Sequence, residues 1–307
     1  MVAGMTHSAP AWPDPAAVHA DHPLAPLTTF GIGGPADYFA TAGSTSALIA
    51  LLDAAHTADL PITVLGESSN VLIGDAGVRG LVIHNRSDAI EIPGTTQMRA
   101  GSGILMGRLA AWSAERGLAG LEFGVGIPGS LGGSVFGNAG CFGVEIKDVL
   151  IEAAIWYEGA RTTLTNADLD FAYRRSQLQA LPETPVVLEA LLKGTPDRPE
   201  AIRARMTELS RRRRATQSAH PSAGSVFRNP PGDHSGRLID AAGLKGARIG
   251  AAQISDQHAN FIINRGGATA ADVAALIGRA RAAVAAQFNV QLRTEIRFVG
   301  EGFGTTP

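Results

Sequence analysis

The sequence predicts an α+β protein built from two domains. Of its 307 residues, 45% are hydrophobic, which is enough for two domains with separate cores. Segments with helical and strand periodicity alternate up to about residue 193. A different pattern follows, with polar turns, one long helix and a final strand. Residues 124–143 interrupt the first pattern with a dense run of glycines.

The first predicted elements are a helix and a strand. Ser44 is placed to cap a helix whose apolar positions repeat every three or four residues, and Pro61 ends it before a strand at 62–65. The pattern predicts burial of four helix positions: Leu48, Leu51, Leu52 and Ala55. Further strands are predicted at 71–73, 81–83, 97–100, 149–157 and 186–192, with a helix at 105–116.

A polar turn at residues 66–70 follows the strand at 62–65. Its small hydroxyl and amide side chains suit a clamp for phosphate or ribose, and they equally suit a plain tight turn. The sequence leaves both interpretations open.

The glycine-dense segment predicts a site where backbone amides approach a ligand. Glycine costs conformational freedom, so such a run is tolerated mainly where φ is positive or the main chain lies against a ligand. Consecutive amides at a helix N-terminus favour phosphate or pyrophosphate. Gly124, Gly126 and Gly129 match the dinucleotide pattern G-x-G-x-x-G, but Pro128 and the later glycines are expected to break the helix that such a site needs. A phosphate cradle of another design is predicted, with a loose surface loop as the alternative.

Charge and cysteine content narrow the classes of function. A net charge of −2 and a pI near 6.4 argue against a dedicated nucleic-acid or membrane-surface protein. Cys141 is the single cysteine, so a disulfide framework and a thiolate zinc site are excluded, and no metal site is expected. Residues 1–23 lack a signal-peptide pattern and are expected to be a flexible tail. With no apolar stretch long enough for a membrane span, a cytoplasmic protein is expected.

A domain boundary is predicted after residue 196. Asp197 and Glu200 have capping-box spacing for a helix that ends in four consecutive arginines at 211–214. The basic run is interpreted as a solvated last turn that complements the helix dipole, although one of its arginines is a candidate for binding phosphate.

The last third of the chain predicts one long helix and one strand. The helix spans 270–288, is capped by Thr269 with Asp272 three residues on, and has five core positions: Val273, Leu276, Ile277, Ala280 and Val284. The strand alternates and places Glu295 between Arg293 and Arg297 on one polar face. That arrangement suits a held carboxylate or a solvated strand face.

Eight segments, in order, resemble the bacterial UDP-N-acetylenolpyruvoylglucosamine reductases of peptidoglycan precursor synthesis. They span about nine-tenths of the chain. The segments are TTFGIGG at 28–34, GESSN at 66–70, GIPG to NAG at 126–140, FAYRRS at 171–176, PSAGSVFRNP at 221–230, AGLKG at 242–246, HANFIIN at 258–264 and EIR at 295–297. The resemblance is to the shorter of the family's two classes, and Glu67, Phe136 and Cys141 depart from its usual pattern.

The resemblance implies a two-lobed FAD-binding module of the vanillyl-alcohol-oxidase (PCMH) type at 24–196 and a smaller α/β substrate-binding domain at 197–307. The FAD is expected to be non-covalent, because no histidine lies in either glycine-rich turn. The residues implied to hold it are Gly66, Ser68, Ser69, Asn70, Val71, Gly126, Ile127, Pro128, Gly129, Ser130, Gly132, Gly133, Asn138, Ala139 and Gly140.

The implied reaction reduces the enolpyruvyl ether of UDP-N-acetylglucosamine to the lactyl ether of UDP-N-acetylmuramate, with NADPH as co-substrate. Arg174 and Glu295 would polarise the enolpyruvyl carboxylate, and Ser225 would donate a proton. Whether Glu295 donates a proton itself or orients Arg174 stays open. Substrate contacts are implied for Tyr173, Arg213 and Asn229. The UDP-sugar and NADPH are the expected partners of a monomer.

Three other functions fit parts of the sequence. One is an FAD oxidase of the same module acting on a small alcohol, which often carries a flavin-linking histidine near the first turn; none lies between His56 and His84. The second is a serine hydrolase that would use Ser225, His258 and Asp256. The third is a catalytically silent nucleotide-binding module, which the three catalytic candidates disfavour.

Overall fold

The computed structural model describes residues 11–214, without the side chain of residue 214, and residues 220–304. The α-helices of these ranges are α1 (Thr45–Thr57), α2 (Met106–Glu115), α3 (Leu131–Gly137), α4 (Ile146–Val149), α5 (Pro199–Arg214), α6 (Ser235–Ala241) and α7 (Ala270–Phe288). The strands are β1 (Val18–Pro23), β2 (Pro35–Ala42), β3 (Ile62–Leu65), β4 (Val71–Ile73), β5 (Val78–Asn85), β6 (Ile90–Gly94), β7 (Gln97–Gly101), β8 (Leu118–Ala119), β9 (Gly140–Cys141), β10 (Val144–Glu145), β11 (Leu150–Tyr157), β12 (Ala160–Thr165), β13 (Val186–Lys193), β14 (Thr195–Pro196), β15 (Arg248–Ile249), β16 (Ala252–Ile254), β17 (Ile262–Asn264) and β18 (Arg297–Val299).

The first lobe is a four-stranded sheet in the order β1-β2-β5-β3, with α1 packed against it. Strands β2 and β3 run parallel to β5, and β1 runs antiparallel to β2. Ser44 caps α1 by accepting a hydrogen bond from Ala47 N at 3.1 Å. The four helix positions predicted to be buried are buried, so the predicted helix and the strand after it are confirmed.

The predicted flexible tail is wrong for residues 18–23. These residues form β1, which pairs with β2 from Val18 opposite Ala40 to Pro23 opposite Pro35. The strand is mostly exposed and is held by backbone pairing, which leaves no hydrophobic period in the sequence. Residues 1–10 of the predicted tail lie outside the described residues.

The second lobe is a five-stranded antiparallel sheet in the order β12-β11-β13-β7-β6. Helices α2 and α3 contribute to the apolar core on one of its faces. Helix α3 begins directly after Ser130 and contains Gly132, Gly133 and Gly137, so the expectation that glycines would break a helix here is wrong.

The C-terminal unit packs α6 and α7 with the small sheet β15-β16-β17. Helix α7 has the predicted bounds, capping box and buried positions. Phe30, Ile32 and Leu72 of the first lobe enter the same core. Strand β18 runs parallel to β4, with Arg297 opposite Val71, so the end of the chain is also joined to the first lobe.

Helix α5 packs on the second lobe, against α2 and the 3₁₀ turn Glu122–Gly126. The division after residue 196 remains a prediction, and this packing favours a division after α5. The predicted capping box is wrong: Asp197 accepts from the amide of Arg198 at 2.7 Å and from Arg205, while Glu200 pairs with Arg203. Helix α5 begins at Pro199, so Asp197 lies one residue before the N-cap position and Glu200 is the second helical residue.

Candidate active site

The structure brings the two glycine-rich turns together. The turn at 66–70 follows β3 of the first lobe, and the turn at 126–133 leads into α3 of the second. A Cβ on Gly66 would collide with the Ser130 side chain, and a Cβ on Gly129 would lie 3.4 Å from Ser69 Oγ. Glycine at position 66 lets the two turns touch, because a larger residue there would displace the Ser130 side chain.

Carbonyls of the second lobe fix the start of α3. Leu131 N donates to Ile104 O at 2.8 Å, and Gly132 N donates to Ser102 O at 2.8 Å. These bonds satisfy amides that a helix N-terminus otherwise leaves unpaired. They also explain how a helix with several glycines is held in place at this position.

Residues at the junction of the turns fit a phosphate-bearing cofactor. Ser68 is 7% exposed, has a φ of 49°, and its Oγ is buried without a hydrogen-bond partner among the described residues. A buried hydroxyl without a partner is uncommon and points to a ligand that completes it. Together with the close approach of glycine backbone, this donor set suits the pyrophosphate and sugar hydroxyls of FAD.

Arg174 of the second lobe forms an ion pair with Glu295 of the C-terminal unit. Arg174 Nε donates to Glu295 Oε1 at 2.9 Å, and a terminal nitrogen of Arg174 donates to Gly140 O at 3.0 Å. Arg174 has a φ of 55°, a left-handed conformation that is uncommon for arginine. The alternation around Glu295 suggested partners on its own strand, but its ion-pair partner lies 121 positions away in the sequence.

Arg174 and Arg228 act on Glu295, and Arg297 lies two positions further along the chain. Burial raises the pKa of Glu295, while the charges of Arg174 and Arg228 oppose this rise. Burial and the charge of Arg228 lower the pKa of Arg297, whose guanidinium lies 4.4 Å from the ring centroid of Phe136. The site thus has more fixed positive than negative charge, which favours an anionic ligand.

Arg228 and Arg297 were not predicted as site residues. The Nε of Arg228 is buried without a hydrogen-bond partner among the described residues. Both arginines lie in segments that carried the family resemblance, so the signal was present, but the sequence does not show that residues 293–295, just before β18, pair with the strand-like segment at 225–228.

Backbone pairing places Ser225 close to Glu295. Glu295 N donates to Val226 O at 2.7 Å, and Ser225 itself pairs with Phe261. Asn260 fixes the next residue: its side chain accepts from Phe227 N at 2.9 Å and donates to Phe227 O at 2.8 Å. The backbone that bears Ser225 is therefore held on both sides.

Asn70 connects the first turn to the same place. Its side chain donates to Glu295 O at 3.2 Å, and its carbonyl accepts from Arg297 N at 3.0 Å. Both bonds join the predicted cofactor turn to the segment at 295–297, which contains Glu295, a predicted catalytic residue, and the first residue of β18. The structure therefore brings together Asn70, Arg174, Ser225 and Glu295 from three parts of the chain.

The three predicted substrate-contact residues differ in exposure and in hydrogen bonding. Tyr173 is half exposed beside Arg174, with its ring 5.3 Å from that guanidinium. Burial lowers the pKa of Arg213, and Cys141 is its hydrogen-bond partner. Asn229 Oδ1 accepts from Ser235 N at 3.1 Å at the start of α6, so this side chain is already engaged within the chain.

Ser225, His258 and Asp256 do not form the triad that the serine hydrolase alternative needs. His258 Nδ1 accepts from Asn260 N at 3.2 Å, and Asp256 accepts from Gln253 at 2.9 Å. Within the described ranges, no hydrogen bond joins Ser225, His258 and Asp256 to one another. The relay that a serine nucleophile needs is therefore not assembled.

The described residues hold neither a cluster of metal ligands nor a membrane-spanning helix. They contain no group of three or more histidine, cysteine, aspartate or glutamate side chains placed to hold a metal ion. In residues 11–214 and 220–304, every helix is too short or too polar to cross a bilayer.

Two models of known protein families match this chain and define its class. The FAD binding domain model matches residues 36–163, and the model of the UDP-N-acetylenolpyruvoylglucosamine reductase C-terminal domain matches residues 216–299. An FAD-binding domain that precedes a reductase domain defines an FAD-dependent reductase.

The particular family follows from full-length relatives. The UDP-N-acetylenolpyruvoylglucosamine reductase of Phenylobacterium zucineum is 45% identical over 91% of this chain and 94% of its own length. That of Bacillus subtilis is 42% identical over 92% and 94%. The crystal structure of the reductase (MurB) from Thermus caldophilus has a TM-score of 0.77 and 36% identity, covering 92% of this chain and 98% of that one. The chain belongs to the UDP-N-acetylenolpyruvoylglucosamine reductase family, so the expected family, fold class and FAD cofactor are confirmed.

Proposed function

We propose that Arg174, Glu295 and Ser225 carry out the chemistry of UDP-N-acetylenolpyruvoylglucosamine reduction in this protein, with NADPH as reductant. The single observation that supports this most is the Arg174–Glu295 ion pair, which joins the second lobe to the C-terminal unit at 2.9 Å. Its members come from separate segments and meet beside the backbone of Ser225.

FAD held by the two glycine-rich turns would, once reduced by NADPH, supply the hydride for the terminal carbon of the enolpyruvyl double bond. The electron pair of that bond then moves toward the adjacent carbon and its carboxylate. Arg174 offers fixed positive charge and planar donors to this developing enolate. Because Glu295 and Gly140 O each hold a different donor of Arg174, the guanidinium is oriented before substrate arrives.

Ser225 completes the reaction by giving its hydroxyl proton to the carbon next to the carboxylate. The new C–H bond gives the lactyl ether, and the serine alkoxide recovers a proton from water. Serine is a weak acid, so its effectiveness depends on position. The pairing of Ser225 with Phe261 and the two bonds between Asn260 and Phe227 supply that rigidity.

Ser225→Ala tests this assignment. The variant should bind FAD and consume NADPH at a near-normal rate in the first half-reaction, while substrate reduction falls by about 10³–10⁴-fold because the positioned acid is lost. Ser225→Cys should recover part of the activity, since a thiol keeps a donor at the same place. Stopped-flow measurement separates the two halves. Substrate reduction by Ser225→Ala at the wild-type rate would remove Ser225 from the mechanism.

Substrate contacts, assembly and location belong to the same proposal. Tyr173 and Arg213 are proposed to contact the UDP-sugar, and the half-exposed ring of Tyr173 beside Arg174 supports the first. Asn229 is proposed as a third contact through its amide nitrogen, since its oxygen already accepts from Ser235. A cytoplasmic monomer is proposed, and a single free cysteine agrees with a reducing compartment.

A further inference from the structure

A buried polar cluster lies beneath the two glycine-rich turns and takes no part in the proposed reaction. Its members are Asn85 at the end of β5, Ser87 two residues later, and Ser102 directly after β7. They are 5%, 1% and 1% exposed. Polar side chains buried to this degree persist only where they are hydrogen-bonded, so their partners reveal what the cluster holds.

Two side-chain bonds of the cluster join the lobes, and the longer runs from Gly103 N to Ser87 Oγ at 3.3 Å. Asn85 Nδ2 donates to Ser102 Oγ at 2.7 Å. Asn85 Oδ1 accepts from Ser87 N at 3.0 Å and from Ser87 Oγ at 2.7 Å. Since Asn85 belongs to the four-stranded sheet and Ser102 follows a strand of the five-stranded sheet, the amide is held by its own lobe and bonds to the other.

The second turn rests directly on Ser102. Gly132 N donates to Ser102 O at 2.8 Å, and a Cβ on Gly132 would lie 3.0 Å from Ser102 Cβ. Ser87 holds the residue after Ser102, because Gly103 N donates to Ser87 O at 2.9 Å. The cluster therefore packs directly against the first turn of α3.

The first turn is attached to the same segment. Arg86, between Asn85 and Ser87, donates to Glu67 Oε1 at 2.8 Å. Glu67 lies within the turn at 66–70, so residues 85–87 contact the first turn directly and the second turn through Ser102. The Arg86–Glu67 pair is largely solvated and contributes little energy by itself. The buried Asn85–Ser102 bond is therefore the stronger constraint.

We propose that Asn85 and Ser102 are positioning residues that set the separation of the two FAD-binding turns. This inference rests on the assignment of both turns to FAD. A cofactor held by turns from different lobes loses several contacts together when the lobes shift, so the groups that support the turns determine affinity without touching the cofactor.

Ser102→Ala, with Ser87→Ala as its matched control, tests the proposal. Both variants delete an equally buried serine hydroxyl, but only Ser102→Ala cuts the 2.7 Å bond from Asn85, and the carbonyl that accepts from Gly132 N remains. Ser87→Ala removes the weaker 3.3 Å contact from Gly103 N, whose 2.9 Å bond to Ser87 O is kept. Fluorescence titration of apoprotein should show FAD binding weakened roughly 5- to 100-fold for Ser102→Ala and less than about 3-fold for Ser87→Ala, as expected when a buried donor loses its partner.

A second variant protects the test against failure to fold. Asn85→Ala removes the same bond from the other side, together with the two bonds that Asn85 accepts from Ser87. Adding Ser102→Ala to it should weaken FAD binding no further, because Asn85→Ala has already deleted the bond that Ser102→Ala removes. Equal losses of melting temperature with wild-type FAD affinity in these variants would show that the cluster is only structural and would overturn the proposal.

Gly132→Ala tests the underlying assignment separately. Its added methyl group would crowd Ser102 beneath the turn. Wild-type FAD affinity in Gly132→Ala would remove this turn from the cofactor site. Loss of FAD in Gly132→Ala, with normal binding in Ser102→Ala, would overturn the positioning role alone.

Discussion

Asn138 provides the most quantitative prediction, because its side chain is fully used within the protein. It is 0% exposed, and its amide donates to Glu145 Oε2 and to Ala172 O, each at 3.0 Å. Its carbonyl oxygen accepts from Lys147 N at 3.1 Å. The residue ends α3 with a φ of 44°. The family resemblance assigned Asn138 to FAD, but these contacts indicate that it supports the site from behind.

Two substitutions separate the side chain from the backbone. Asn138→Gly removes three hydrogen bonds and keeps the left-handed conformation at no steric cost; at ~1 kcal/mol per bond, unfolding should become easier by about 3 kcal/mol. Asn138→Ala loses the same bonds and also places a Cβ in the left-handed region, which adds about 1 kcal/mol. The glycine variant should therefore be the more stable of the two.

The measurement is denaturation of apoprotein and of FAD-loaded protein. At about 2 °C per kcal/mol for a chain of this size, Asn138→Gly should lower the melting temperature by roughly 6 °C in both forms. Activity should fall as well, since Ala172 O is released two residues before Arg174. A glycine variant within 1 °C of the wild type would refute this reasoning, and a loss confined to the FAD-loaded form would make Asn138 a direct cofactor ligand.

Three further outcomes are expected. Asp75 accepts from Ala270 N at 2.7 Å and Ala271 N at 3.0 Å, so it caps α7 from another part of the chain; Asp75→Ala should cost about 1–2 kcal/mol in urea denaturation, and an unchanged midpoint would contradict this. Because burial raises the pKa of Glu295 above its reference value of 4.5, protonation stabilises the fold below that pH, and the stabilisation is lost as pH rises through the folded-state pKa. Glu295→Gln cannot ionise, so it should gain stability relative to wild type as pH rises from the unfolded-state pKa to the folded-state pKa of Glu295. The gain should be about 1.4 kcal/mol for each pH unit between these two pKa values. Stability curves of the two proteins that stay parallel across this range would exclude the raised pKa. FAD should be released intact by acid precipitation, whereas yellow colour in the pellet would point to a link through Cys141.

The sequence by itself determined the elements whose signals are local. Helices α1 and α7 are indicated by their apolar periodicity and by the capping side chains Ser44 and Thr269. Each of these side chains accepts from the backbone amide three residues further on. The identities of Arg174, Ser225 and Glu295 were available from short motifs, because a motif is a local pattern too.

Only the tertiary structure decided which distant groups meet. Helix α3 forms despite its glycines because carbonyls at positions 102 and 104 hold its first amides, and β1 forms because β2 offers it a backbone edge. Glu295 takes its ion-pair partner from another lobe instead of from its neighbouring arginines. Hydrogen bonding and charge pairing depend on distance in space. A contact between residues about a hundred positions apart produces no periodic pattern in the sequence.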